Sequence, residues 1–342
     1  MNKINWGILG LGNISKIFCE SFKSIKNAQL LAVSSNNESK RNFFKKKFLL
    51  EDRFVFKDYE DLINCPKLDI IYVALPNTFH YKWVSKIIYN NKHVLVEKPS
   101  TSNYSEAKNI SKELLNKKIF FGEAFMYRFH PQIEFLIELI KNNEIGNIIS
   151  INSKFGHNLL TKKKFFIFNR KKKINSENRL FNKNLGGGCI LDLGCYPVSF
   201  SLLIASINNV LDEKKIKIYK KEKILGETNV DIDANIELSF DDRIKSHLFS
   251  SFNRNLGYSS EIIGENGKIV VNNTWMNKDN FIYLKKKNYK EYNLSTNISS
   301  YTRQIEKISQ NLINGKFYMP YPGISTNQSF VNMKILDEWL NE

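Results

Sequence analysis

The sequence predicts an α/β protein: a doubly wound parallel sheet at the N-terminal end, then an α+β second domain on a mostly antiparallel sheet. Three observations predict it. Up to about residue 122, short apolar runs alternate with amphipathic stretches of helical length, the pattern of parallel strands joined by crossover helices. The first apolar run ends in a glycine turn, Gly10-Leu11-Gly12, that opens the first helical stretch. Beyond residue 123 the alternation becomes two-residue, as in strands with one face buried and one wet.

In chain order, strands are predicted at Ile4–Leu9, Leu30–Ser34, Asp69–Leu75, His93–Glu97 and Ile119–Gly122. Helices between them cover Ile14–Ile25, Glu38–Phe48, Thr78–Asn90 and Tyr104–Asn116. This set matches one doubly wound nucleotide-binding unit. A helix at His130–Asn142 follows, with Pro131 in its first turn, where the missing N–H costs nothing. Next come a strand at Ile148–Lys154, a polar basic segment from Thr161 to Asn184, and an apolar helix over Cys189–Ile204. Strands at Ile216–Lys220, Ile232–Phe240, Lys245–Phe252, Glu261–Ile263, Lys268–Val271 and Phe281–Lys285 are joined by turns such as Glu265-Asn266-Gly267. Helices near Tyr301–Leu312 and Asn327–Leu340 close the chain. The domains are therefore 1–122 and 123–342, with the C-terminal helix a candidate to pack back on the first.

The chain has 342 residues, 42% hydrophobic and 25% charged, which excludes disordered, collagen-like and membrane-spanning classes. Its 51 Lys+Arg against 34 Asp+Glu leave a net charge of +17. That balance raises nucleic acid as a partner, but no nucleic-acid module is present and the aromatics lie at core spacing instead of among the basic runs. The basic runs are spread along the chain and read as solvated faces. One exception is Thr161–Asn175, with seven basic residues and no acid, a candidate lure for an anionic substrate. Cys19, Cys65, Cys189 and Cys195 fit neither a disulfide framework nor a metal motif. A reducing cytoplasm, no metal and no export signal are the expectations.

Chemistry is written in four places. In Gly10-Leu11-Gly12-Asn13-Ile14-Ser15, Gly10 permits the tight turn, Gly12 clears space for a pyrophosphate, and small Ser15 lets the helix approach the strand. The amides of Asn13 and Ile14, at the helix start, would face the phosphates. The second strand ends in Ser34-Ser35-Asn36-Asn37, with no acid before Glu38. A carboxylate there would accept from the NAD ribose; its absence, with Ser34, Ser35 and Asn36 as candidates to bind a 2′-phosphate and Lys40 or Arg41 nearby, favours NADP over NAD. The same Ser and Asn residues also serve as ordinary turn formers. Glu97-Lys98-Pro99 ends the His93–Glu97 strand, placing Lys98 where ligands of open α/β sheets bind. In Gly186-Gly187-Gly188-Cys189-Ile190-Leu191-Asp192-Leu193-Gly194-Cys195-Tyr196-Pro197, Asp192 and Tyr196 stand four apart on a predicted helix, on one face. A helix cap plus a packing tyrosine is the alternative reading.

Together these segments, with VALPNTFHYKWVSKIIYNNKHVLVEKPST, GEAFMYRFHPQ and NRLFNKNLGGGCILDLGCYP, resemble the glucose–fructose oxidoreductase / inositol dehydrogenase / rhizopine catabolism family. They are most similar to its branch of dimeric dihydrodiol dehydrogenases and NADP-dependent D-xylose dehydrogenases. The resemblance implies a Rossmann domain followed by a domain with a large open, mostly antiparallel sheet, the active site between them, and homodimers or homotetramers through the open sheet face. It implies hydride exchange between NADP or NAD and a hydroxyl-bearing carbon of a sugar, cyclic polyol or diol; the basic Thr161–Asn175 stretch adds phosphorylated or nucleotide-linked sugars as candidates. The catalytic set it implies is Lys98, Asp192 and Tyr196, with Tyr196 as acid/base. A free tyrosine titrates near ~10, so the Lys98 ammonium is needed to favour the phenolate. Pro76, Asn77 and Glu97 match contacts to the nicotinamide and its ribose; Arg179 matches a second-domain contact with substrate or cofactor. His80 fits the family pattern and is given no catalytic role. A regulatory protein that binds the dinucleotide without catalysis is the competing reading.

Overall fold

The computed structural model describes residues 3–164, 168–208 and 211–341, and the side chains of 162–171 fall outside the described residues. The chain divides into two compact units, 1–129 with 298–330, and 130–297 with 331–342.

The first unit is built on six parallel strands, β1 (Ile4–Leu9), β2 (Ala28–Ser34), β3 (Val55–Phe56), β4 (Ile70–Val73), β5 (His93–Val96) and β6 (Phe121–Glu123), in the order β3-β2-β1-β4-β5-β6. Helices α1 (Asn13–Glu20), α2 (Glu38–Phe48), α3 (Tyr59–Asn64), α4 (His80–Tyr89) and α5 (Tyr104–Leu114) connect them. The strands are mostly apolar because both faces are covered, with Asn5, Gln29 and His93 near the strand starts as polar exceptions. Trp6, Ile8, Tyr72 and Leu95 point into one core, and Leu9, Ile71, Val73 and Val96 into the other. Period two distributes neighbouring residues between the faces.

Three elements here differ from the expectation. β3 and α3 were not predicted; β3 is only two residues long, too short to show any period. The helix expected over Ile14–Ile25 ends at Glu20 and continues as a 3₁₀ turn, Ser21–Ser24.

The second unit carries α6 (Pro131–Lys141), β7 (Ile148–Gly156), the hairpin β8 (Thr161–Lys164) and β9 (Phe168–Lys171), and α7 (Cys195–Ala205). Its strands continue with β10 (Ile216–Leu225), β11 (Asp231–Phe240), β12 (Ile244–Ser251), β13 (Ser260–Gly264), β14 (Gly267–Val271), β15 (Phe281–Lys285) and β16 (Tyr289–Asn293). Eight of these form one sheet, β10-β11-β12-β7-β13-β14-β15-β16, parallel only between β12 and β7.

β16 was missed because it is an edge strand of mostly exposed charged and polar residues. The polar basic segment from Thr161 to Asn184, for which no strand was predicted, contains the β8–β9 pair; the proposed anionic lure at Thr161–Asn175 rests on side chains that lie largely outside the described residues. By length and composition 183–205 would suffice to cross a membrane, yet all eleven residues of α7 are buried, the mark of a core helix.

α8 (Ser300–Ile313) returns to the first unit, where Trp6 Nε1–H donates to Ser309 Oγ at 3.0 Å. The boundary drawn at 122 from the pattern compares with a first unit running to Phe129 and regaining 298–330. α9 (Thr326–Leu340) has its first residues in the first unit and the remainder in the second.

Candidate functional site

In the first unit the glycine turn has a precise local cause. Gly10 adopts φ +93°, and a Cβ there would meet the Ala74 carbonyl oxygen at 2.6 Å. Only glycine satisfies both constraints. Ser15, expected merely to be small, is fully buried and closes the turn: its hydroxyl donates to Gly10 O at 2.6 Å and accepts from Gly12 N–H at 3.3 Å. A Cβ on Gly12, by contrast, would have no protein atom within 4 Å. Packing among the described residues therefore does not demand glycine at 12, which leaves room for a ligand to approach the backbone. The Asn13 and Ile14 amides, at the start of α1, have no carbonyl a turn earlier to bond, and the first turn carries no acid. This cradle fits a dinucleotide pyrophosphate.

At the end of β2 the residues separate. Ser34 is fully buried and donates its hydroxyl to Asp58 O, so its side chain closes the strand end. Ser35 Oγ accepts from Asn37 N–H, and Ser35 O accepts from Arg41 Nη1 at 2.6 Å. Asn36 is exposed and lines a cavity of about 540 Å³ with Asp58, Tyr59, Leu75, Pro76 and Trp83. Glu60 and Lys82 also line it, so its walls mix charged and polar groups with aromatic and aliphatic ones.

Asn77 opens a 3₁₀ turn after Pro76. Glu97 Oε1 accepts from Tyr72 OH, and Glu97 Oε2 accepts from Lys98 N–H at 3.3 Å. Lys98 is half-buried. On the neighbouring strand, Glu123 Oε1 accepts from Ser100 N–H at 2.9 Å. Burial pushes the Glu123 carboxyl up to about 7, against the Ser329 hydroxyl, the Ser100 amide and the Arg128 guanidinium, while Glu97 adds to the rise.

A group raised in the fold from about 4.5 contributes its stability below 4.5 and loses it as pH climbs towards 7. The Glu123→Gln protein should therefore show a flatter stability profile between pH 4.5 and 7. The difference relative to wild type should be on the order of 2–3 kcal/mol across that window. Thermal unfolding at pH 5 and pH 7.5 measures it, and parallel curves would refute the assignment.

In the second unit the helix expected over Cys189–Ile204 is corrected at its start. Ile190–Gly194 is a π turn, closed by Cys195 N–H on Ile190 O, and the α-helix begins at Cys195. The cause lies in β11: Asp231 accepts from Ile190 N–H at 2.6 Å, and a Cβ on Gly188 would strike Asp231 Oδ1 at 2.2 Å. Asp192 thus sits in a π turn and Tyr196 in the first α turn, so the simple i, i+4 stacking does not apply. Single π turns inside helices are frequent at functional sites.

Arg179 Nη1 and Nη2 both reach Asp192 Oδ1 at 3.2 Å, bringing together two sequence motifs thirteen residues apart. Tyr196 is 8% exposed, packed edge-on against Phe155 with centroids 5.2 Å apart and tilted on Trp275. His157, which sequence reasoning missed, shares Phe155, and its Nδ1 meets Tyr258 OH at 2.9 Å. Burial lowers the His157 pKa while the Asp192 carboxylate pulls it up. No motif marks His157; only the pairing of strands brings it into the field of Asp192.

Lys98, Gly10 and Gly12 thus belong to the first unit, and Arg179, Asp192 and Tyr196 to the second.

A parallel sheet of this order with a glycine cradle at β1 defines a dinucleotide-binding protein. The chain matches the model of the oxidoreductase family with NAD-binding Rossmann fold over residues 4–123 and that of the GFO/IDH/MocA C-terminal domain over 133–270, and it belongs to that family. It is 25% identical over 346 residues to trans-1,2-dihydrobenzene-1,2-diol dehydrogenase of Xenopus tropicalis, covering 98% of this chain and 97% of that one. It is 30% identical over 215 residues to D-xylose 1-dehydrogenase (NADP(+)) of Hypocrea jecorina, covering 58% and 52%. Among solved structures, the 3-ketoreductase KijD10 of Actinomadura kijaniata with NADP and TDP-benzene superposes with TM-score 0.81 at 19% identity, covering 98% and 96%. That likeness shows the fold. The protein is an oxidoreductase using NADP or NAD.

Proposed function

We propose that the protein oxidises or reduces a CH–OH carbon of a sugar, cyclic polyol or diol, with Tyr196 as acid/base and Lys98 as its cationic helper. The observation that carries this reading is the Asp192–Arg179 pair with Tyr196 and His157 around Phe155. Carboxylate, guanidinium, phenol and imidazole over an aromatic floor suit a polyhydroxylated ring, whose hydroxyls need both donors and acceptors. The named activities of the diol and xylose dehydrogenases support the same substrate class.

When bound, the nicotinamide supplies or accepts the hydride. Gly10, Gly12, Asn13 and Ile14 hold the pyrophosphate, and Asn36 borders the adenosine. Pro76, Asn77 and Glu97 border the nicotinamide end. Tyr196 removes or returns the hydroxyl proton, Lys98 stabilises the oxygen as it loses that proton, and Asp192 with Arg179 orients neighbouring hydroxyls. A panel of aldoses, inositols, diols and nucleotide sugars, assayed with each coenzyme by nicotinamide absorbance, tests the reading. No turnover with any of them would refute it.

NADP is the favoured coenzyme, because Arg41 is pinned at the β2 end where an adenosine 2′-phosphate would lie. Arg41→Ala should weaken 2′,5′-ADP binding about 10- to 100-fold, the worth of a charge-assisted bond, and leave ADP binding unchanged. Calorimetry with the two nucleotides decides; equal effects on both would refute the role.

We also place the protein in the cytoplasm as a homo-oligomer through the open face of the eight-stranded sheet, where Ile149 and Phe249 are exposed. Light scattering coupled to gel filtration measures the assembly.

A further inference from the structure

His80 opens α4 and is 1% exposed. Its Nδ1 lies 2.8 Å from Pro99 O, and its Nε2 lies 2.8 Å from Leu75 O. Carbonyl oxygens only accept, so a ring that faces two of them satisfies both contacts only when both nitrogens carry a proton. Either neutral tautomer would turn a nitrogen lone pair onto a carbonyl oxygen in a buried place.

The two carbonyls belong to different loops. Leu75 ends the β4 loop just before Pro76-Asn77, and Pro99 follows Lys98 after β5. We propose that His80 is held as an imidazolium and is the positioning residue that ties these two loops together, setting the place of Lys98.

The turn from Lys98 to Ser100 is then held at three successive backbone groups. Glu97 accepts from Lys98 N–H, His80 donates to Pro99 O, and Glu123 accepts from Ser100 N–H. Glu97 and His80 carry the charges that strengthen their bonds, a carboxylate for an N–H and a cation for a carbonyl, while the raised Glu123 carboxyl accepts from Ser100 N–H with or without its proton. The role of His80 in turnover rests on the proposed function, in which both loops border the nicotinamide end. Its protonation state does not rest on that reading.

The test uses the full chain labelled with ¹⁵N-histidine. Long-range ¹H–¹⁵N spectra at neutral pH should show His80 with both ring nitrogens protonated, with or without coenzyme. A neutral-tautomer pattern overturns the proposal. His80→Gln identifies the signals by their loss, and backbone assignment does so if that variant does not fold.

The second readout separates positioning from general damage. In His80→Gln, kcat should fall about 10- to 100-fold, the scale of a small misplacement of a reacting group. Binding of 2′,5′-ADP, or of ADP if NAD is the coenzyme, should fall by a smaller factor than kcat, because on the proposed function Gly10, Gly12 and Arg41, outside the two tied loops, hold that half. Unchanged kcat overturns the positioning role. If the wild-type protein turns over no substrate, the proposed function fails while the spectrum still decides the state of His80.

Discussion

The Tyr196→Phe enzyme should lose about 10²- to 10⁴-fold in kcat/KM, the range for removal of one general acid/base, with coenzyme affinity and melting temperature nearly unchanged. The separation of effects follows from the packing. Tyr196 presses its ring edge against Phe155 and tilts on Trp275, and phenylalanine keeps both contacts. Only the hydroxyl goes. Lys98→Met should produce a loss of similar size, and the double variant should be little worse than either single one, because groups that act as a unit are non-additive. Stopped-flow and steady-state assays of the three variants measure this. Fully multiplicative losses would show that the phenol and the ammonium act independently, and wild-type turnover in Tyr196→Phe would remove the residue from the mechanism.

A second large effect should separate two glycines that look equivalent in the sequence. Gly12→Val places a branched side chain in space that holds no protein atom within 4 Å of a Cβ. The chain should fold normally and bind the dinucleotide at least about 100-fold more weakly, roughly the ~3 kcal/mol lost when a pyrophosphate is pushed off the backbone. Gly10→Ala should do the reverse. Its φ of +93° and the 2.6 Å approach to Ala74 O put the cost into the fold, about 1–3 kcal/mol of stability or more. Melting curves and dinucleotide titrations on both variants check the contrast. A Gly12→Val protein that melts early but binds normally would show that the open space serves packing instead of ligand.

Much of the first unit was legible because its physics is local. Ile4–Leu9 is apolar except at Asn5, since both sheet faces are covered, and Glu38–Phe48 was read with its ends correct because Asn37 caps one end and Leu49 leaves the helix in a left-handed turn at the other. What failed was short, exposed or imposed from outside. β3 has two residues, and β16 alternates no apolar face. The π turn at Ile190–Gly194 arises from Asp231, forty-one residues away from Ile190. Ser15 was read as small when its hydroxyl matters as well. Ser34 was read towards the cofactor, yet its hydroxyl turns to Asp58.

The sequence by itself determined the class of fold and the glycine turn of the dinucleotide domain, because motifs at strand ends and glycine turns obey rules of local geometry; it nominated Lys98, Asp192 and Tyr196 by resemblance. Only the tertiary structure decided which partners those residues hold. Arg179 reaches Asp192, His157 shares Phe155 with Tyr196, Glu123 grips Ser100, and His80 faces two carbonyls. Those contacts depend on which strands and loops become neighbours. Charge states follow from them too, since burial and the choice of hydrogen-bond partner set whether Glu123 keeps its proton and whether His80 carries two.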